Sequence, residues 1–138
     1  GFAPRPGGGL PPEMDRMRAA EDVARRHYDG KLVFDPVMLH YAQALWKTCE
    51  RRGIPVLLVE HPLSHEYLGA AARYIDFEEW DARVTALLDE HPNATAFRAR
   101  DLYRDDPARF DDADHLVAGA TEDFTKRVRE WVIPLLEG

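Results

Sequence analysis

Apolar positions along this chain alternate between helical stripes and short continuous runs. From Glu13 to Tyr28, Met14, Met17, Ala20, Val23 and Ala24 share one helical face, and Asp29-Gly30 stops the run. Lys31 to Phe34 is short and reads as a strand stub. Asp35-Pro36 then starts a helix, with a carboxylate at the N-cap and proline at the first helical position. Val37, Met38, Tyr41, Ala42, Leu45 and Cys49 give it an expected buried face as far as Arg52, and Gly53 supplies a left-handed stop. Ile54 to Val59 is apolar on both faces, the pattern of an interior parallel strand covered by helices on both sides.

The loop Glu60 to His65 follows that strand, and His65 to Tyr74 reads as helix. Asp76 caps the next helix, whose stripe is Phe77, Trp80, Val84, Leu87 and Leu88 up to Glu90. His91-Pro92-Asn93 breaks it, and Ala94 to Ala99 is the second strand. Leu116, Ala120, Phe124, Val128, Trp131 and Leu135 mark a final helix. Alternating helices and strands predict an α/β class: a helix-rich, partial flavodoxin-like three-layer fold on a small parallel sheet of two to three strands. Residues 1–12 hold four glycines and four prolines and read as a linker or loop; 13–138 forms the α/β domain.

Composition narrows the function. With 138 residues, 45% apolar and 31% charged, the chain fits one ordinary globular domain. The net charge of −7 comes without any Lys/Arg stripe, since Arg25-Arg26 and Arg51-Arg52 are isolated pairs. Nucleic acid is therefore not an expected partner, because phosphate binding needs clustered cations. No apolar run approaches a membrane span. The single cysteine, Cys49, excludes an intrachain disulfide and a cysteine-based zinc site. It does not set the compartment. Neither does Asn93-Ala94-Thr95, which matches the glycosylation acceptor pattern.

The chemistry concentrates in Phe110 to Ala120. Asp112 stands three residues before His115, at the mouth of the last helix. A carboxylate at that spacing can hold an imidazole in one tautomer and stabilise the imidazolium formed when it takes a hydroxyl proton. The simpler role is capping: Asp111, Asp112 and Asp114 sit where a helix N-terminus favours negative charge, by about 0.3–1 kcal/mol each. The one serine, Ser64, lies in the loop after the first strand between His61 and His65, a possible substrate loop. It lacks a glycine-flanked elbow, so N-cap of the following helix is its expected role. His61 and His65 are spaced i, i+4, but Pro62 breaks any helix between them, and no metal site or cofactor is expected. His27, His40 and His91 read as structural or exposed. Trp46, Trp80 and Trp131 fall at apolar helical spacing, as core or interface residues.

Phe110, Asp112, His115, Leu116, Gly119 and Ala120, with Phe124-Thr125 farther on, form a block that resembles the C-terminal catalytic block of SGNH/GDSL hydrolases. The likeness is greatest to their DltD-like and alginate-acetylation-type bacterial branch, and it covers roughly residues 31–137. It implies that Asp112 and His115 are two members of a Ser-His-Asp triad in a serine esterase or O-acyltransferase. It also implies an ester or an acylated carbohydrate or polyol as substrate. The family's nucleophile, in a Gly-Asp-Ser type motif, and its Gly and Asn oxyanion donors lie in blocks this chain does not contain. The expectation is thus the C-terminal part of such a domain, completed by a missing N-terminal segment or by a homo-oligomer. The alternative is a non-catalytic α/β interaction or scaffold module.

Overall fold

A computed structural model describes residues 10–31 and 34–137. Among them the elements run α1 (Glu13–Tyr28), α2 (Pro36–Arg51), β1 (Val56–Val59), α3 (His65–Ala71), α4 (Phe77–Asp89), β2 (Ala94–Phe97), a 3₁₀ turn (Pro107–Arg109) and α5 (Ala118–Glu137). Leu32 and Val33 of the strand stub and residues 1–9 of the linker fall outside the described residues, and Lys31 and Phe34 at the ends of the stub are not in a strand.

The two strands pair in parallel, Val56 with Ala94 through Val59 with Phe97. Alternation along a strand puts Leu58 and Ala96 on one face and Val59 and Phe97 on the other. On the first face, Trp80 and Val84 of α4 line a cavity of about 250 Å³ together with Leu58 and Ala96. Arg98, in phase with Ala96, reaches Asp81 and Thr85 of the same helix. On the second face, the Phe97 ring meets Phe124 and Trp131 of α5 at 6.2 and 5.4 Å between centroids. The result is a helix-rich α/β fold in which α4, the two-stranded sheet and α5 form three layers.

The main buried cluster lies beside the sheet, between α1 and α3. Ala20 and Ala24 pack against Tyr67, Ala70, Ala71 and Ala113. Alanine at the four helical positions, Ala20, Ala24, Ala70 and Ala71, lets the two helices approach closely and leaves room for the Tyr67 ring. Arg16 Nε donates to Glu66 Oε1 at 2.7 Å across the same contact. Ala113 belongs to the cluster, so the loop before α5 is anchored to a rigid helix pair.

Several local signals act as read. The Asp35 carboxylate accepts from the amides of Val37 and Met38, and Asp76 does the same for Glu78 and Glu79. Gly53 ends α2 with φ of +65°, a conformation that only glycine adopts without strain. Elements are shorter than their apolar runs. β1 starts at Val56, after Pro55, and β2 ends at Phe97, where Arg98 turns to α4. α3 stops at Ala71, with the next residues in turn conformation before the Asp76 cap.

The expected burial of α2 is corrected. Val37, Met38, Tyr41 and Leu45 are 60%, 68%, 67% and 61% exposed, and no residue of the helix is buried. Its contacts are made at the ends. Phe34, just before it, stacks on Trp80, and Trp46 meets the edge of the His91 ring at 5.4 Å. The stripe is amphipathic, and its four large residues face solvent while Ala42 and Cys49 are half-buried. β1 departs in the same way: among the described residues its only strand neighbour is β2, and Val59 is 41% exposed, so within them it is an edge strand.

Candidate functional site

β1 and β2 end on the same side, and the loops that follow are tied together. The Leu63 amide donates to the Arg100 carbonyl at 3.0 Å. Ser64 Oγ donates to the Ala113 carbonyl at 2.7 Å. Carboxyl ends of parallel strands are where α/β sheets place ligand sites. Beyond the 3₁₀ turn, Phe110 and Leu116 form an antiparallel bridge, and the Asp111 amide donates to the His115 carbonyl at 2.8 Å. These bonds close a tight loop with Asp112, Ala113 and Asp114 at its tip.

Within this loop Asp112 Oδ1 accepts from three donors: the amides of Asp114 and His115, at 3.1 and 2.9 Å, and His115 Nδ1, at 2.8 Å. The capping role read for this aspartate is not the one it takes. Its amide bonds close a turn ahead of α5, whose first backbone bond runs from Thr121 to the Val117 carbonyl. Asp112 is partly buried, whereas the His115 side chain is 72% exposed. With Nδ1–H given to the carboxylate, Nε2 is the basic nitrogen of the neutral ring.

The electrostatics follow from this geometry. Burial pushes the Asp112 carboxyl up, but the hydrogen bonds from the His115 ring and the loop amides outweigh it and hold the group below its ordinary range. The His115 imidazole is raised above its ordinary value, first by the hydrogen bond to Asp112, then by that charge and the charge of Asp114. Asp114 is a second carboxylate at the ring: its Oδ1 lies 3.2 Å from His115 Nδ1. Its Oδ2 lies 3.9 Å from Nδ1 of His27, on the last turn of α1. His27 Nδ1 in turn meets the Tyr67 hydroxyl at 2.9 Å, which donates to Tyr28 at 3.2 Å. Asp114 thus stands between two imidazoles. Reading along the sequence did not find His27, because it lies far up the chain on a helix that only tertiary packing brings to this loop.

Asp112, Asp114 and His115 offer ligand atoms within 4.8 Å of one another, a grouping of two carboxylates and an imidazole that suits a divalent cation. An ion held through Nδ1 would displace the bond to Asp112, so that mode of metal binding and the oriented base exclude each other.

None of the remaining residues of the sequence-predicted loop is hydrogen-bonded to the side chain of Asp112 or His115, although Ser64 reaches the backbone between them. Ser64 is buried; its hydroxyl is spent on Ala113, and it accepts from the Tyr67 amide at 3.1 Å as N-cap of α3. No imidazole is hydrogen-bonded to it. His61 Nδ1 bonds the Pro62 carbonyl at 2.7 Å, and its ring meets Phe124. His65 opens α3 and is exposed. His91 is 1% exposed, with neither ring nitrogen hydrogen-bonded.

No helix among the described residues is long and apolar enough to cross a membrane. No protein-family model, curated protein or solved structure matches this chain.

Proposed function

We propose that this chain supplies the base half of a serine esterase or O-acyltransferase of the SGNH type, with His115 as general base and Asp112 as its orienting partner. The observation that carries the reading is the 2.8 Å contact between Asp112 Oδ1 and His115 Nδ1 on an exposed ring at the carboxyl ends of parallel strands. In that role a serine outside this chain attacks an ester carbonyl. His115 Nε2 takes the hydroxyl proton and later returns it to the leaving alcohol, while Asp112 stabilises the imidazolium between the two steps. Water as acceptor gives hydrolysis, and a sugar or polyol hydroxyl gives acyl transfer. Ser64 does not enter this scheme, because its hydroxyl is buried and hydrogen-bonded to backbone.

The uncovered faces support the same reading. β1 has a free edge among the described residues, and α2 presents Val37, Met38, Tyr41 and Leu45 to solvent. A nucleophile-bearing strand and its helix would pair with that edge and cover that stripe, from an upstream segment or a second chain. The exposed stripe also favours a second reading, a non-catalytic module that binds a partner through α2.

The test is hydrolysis of an activated aryl ester by the product of the complete gene, compared with its His115→Gln and Asp112→Asn variants. Turnover should fall by about three to four orders of magnitude in both variants, from loss of the base or its orientation. No turnover in the parent protein, or turnover kept by His115→Gln, overturns the reading.

A further inference from the structure

A cavity of about 340 Å³ opens beyond the carboxyl end of β1. Its walls are Tyr28 from the end of α1, Leu63 from the loop after β1, and Ile75, Phe77 and Trp80 around the start of α4. Ile75 is almost wholly buried. The charged groups at the rim are already engaged. The Arg100 guanidinium lies 4.7 Å over the Phe77 ring and pairs with Asp81 at 2.6 Å and Glu60 at 3.6 Å. Lys31 Nζ donates to the Arg26 carbonyl at 2.7 Å. The interior therefore offers aromatic and aliphatic surface rather than a free charge.

His27 joins this cavity to the candidate site. It lines the cavity, and its Nδ1 lies 3.9 Å from the Asp114 carboxylate, which also touches the His115 ring. A ligand filling the cavity would have one end at His27, with the Asp114 carboxylate between it and the His115 ring. We propose that this cavity holds the acyl chain of the ester whose carbonyl is presented near His115, an inference that rests on the function proposed above. At roughly 30 Å³ per non-hydrogen atom, the volume accepts about eleven such atoms. That size selects a medium-length acyl group of about eight carbons and wastes most of the space on an acetyl group.

The probe is octanoate, the acid such an ester would release, titrated into the isotope-labelled chain and followed by amide and indole NMR. The expected result is saturable shifts at Leu63, Ile75, Phe77 and the Trp80 indole, with Kd of about 1 mM for a half-open site of this size. Across butyrate, hexanoate, octanoate and longer acids, affinity should rise about two- to fourfold per methylene and level off near ten carbons. Leu63→Trp, at a half-buried wall position, should weaken octanoate at least fivefold. If that variant does not fold, the chain-length series decides alone. Shifts confined to Val37, Met38, Tyr41 and Leu45, equal affinity for acetate and octanoate, or no binding at all would overturn the proposal. The His115 ring titrated in the same samples separates the two readings. Octanoate binding with an unraised His115 pKa removes the dyad and keeps an apolar site. A raised pKa without octanoate binding removes the acyl cavity alone.

Discussion

Replacing Ser64 by alanine tests whether this residue pins the site or performs its chemistry. The hydroxyl makes two bonds in a buried place: it accepts from the Tyr67 amide as N-cap of α3, and it donates to the Ala113 carbonyl between Asp112 and Asp114. Loss of an N-cap costs about 1 kcal/mol. The Ala113 carbonyl, left without its partner in the α1–α3 core, costs a further ~1–3 kcal/mol. The sum, about 2–4 kcal/mol, is a large part of the stability usual for a domain of this size. It corresponds to a fall in Tm of roughly 6–14 °C. Urea unfolding followed by far-UV circular dichroism measures the loss directly, as a lower midpoint at unchanged slope. Ser64→Thr keeps both bonds and should recover most of it. Ser64→Asp keeps a cap acceptor but sets a buried carboxylate against the Ala113 carbonyl, so it should be no more stable than Ser64→Ala. A Ser64→Ala variant within about 0.5 kcal/mol of the parent would refute the pinning role. Robust ester turnover by this chain that Ser64→Ala abolishes, with stability unchanged, would make Ser64 the nucleophile and overturn the scheme proposed here.

The Asp112–His115 pairing has a defined pH signature. His115 is raised in the fold, so its share of stability is full below the ordinary histidine value of about 6.5 and is lost as pH rises through the folded value. Asp112 is lowered, so its share is present above the ordinary carboxylate range and is lost as pH falls through the folded value. Asp112→Asn should bring the His115 pKa down in an NMR titration; an unchanged value would mean that the contact is not formed in solution. Asp114→Asn should lower it by less, because the 3.2 Å contact is the longer of the two and adds charge without the main hydrogen bond. In the catalytically complete protein, kcat/KM should rise with pH through that raised His115 value, and a rate that falls with pH there would contradict a histidine base. The α2 stripe should drive self-association at tens of micromolar, visible by sedimentation, and Met38→Glu with Leu45→Glu should return the chain to monomer; a parent chain that sediments as monomer would show that the exposed stripe is tolerated. His91→Phe should stabilise the chain by about 1 kcal/mol in urea, since it removes two buried nitrogens that make no hydrogen bond and gives up only a 3.8 Å contact of Nδ1 with Glu50. A destabilised variant would show that the pocket between α4 and Trp46 cannot take the larger ring.

The order of the elements was legible, and so were those ends that local signals set, whereas β1, β2 and α3 proved shorter than their apolar runs. Asp35-Pro36, Gly53 and Asp76 act on backbone within a few residues, so caps and stops appear where the sequence places them. The contact between Asp112 and His115 is local as well, since three residues of turn bring a carboxylate to an imidazole without help from the rest of the fold. Burial was not legible in the same way. Val37, Met38, Tyr41 and Leu45 form as clear a stripe as Ala20 and Ala24, but a stripe states only that a face can be buried, and the sequence does not say whether the fold covers it. The surroundings of the dyad belong to tertiary structure alone. Packing of α1 on α3 carries His27 to Asp114, and the Ser64 hydroxyl locks Ala113 across 49 residues of chain. Sequence spacing determines who can meet within a turn; only the packed helices decide which distant side chains complete the site.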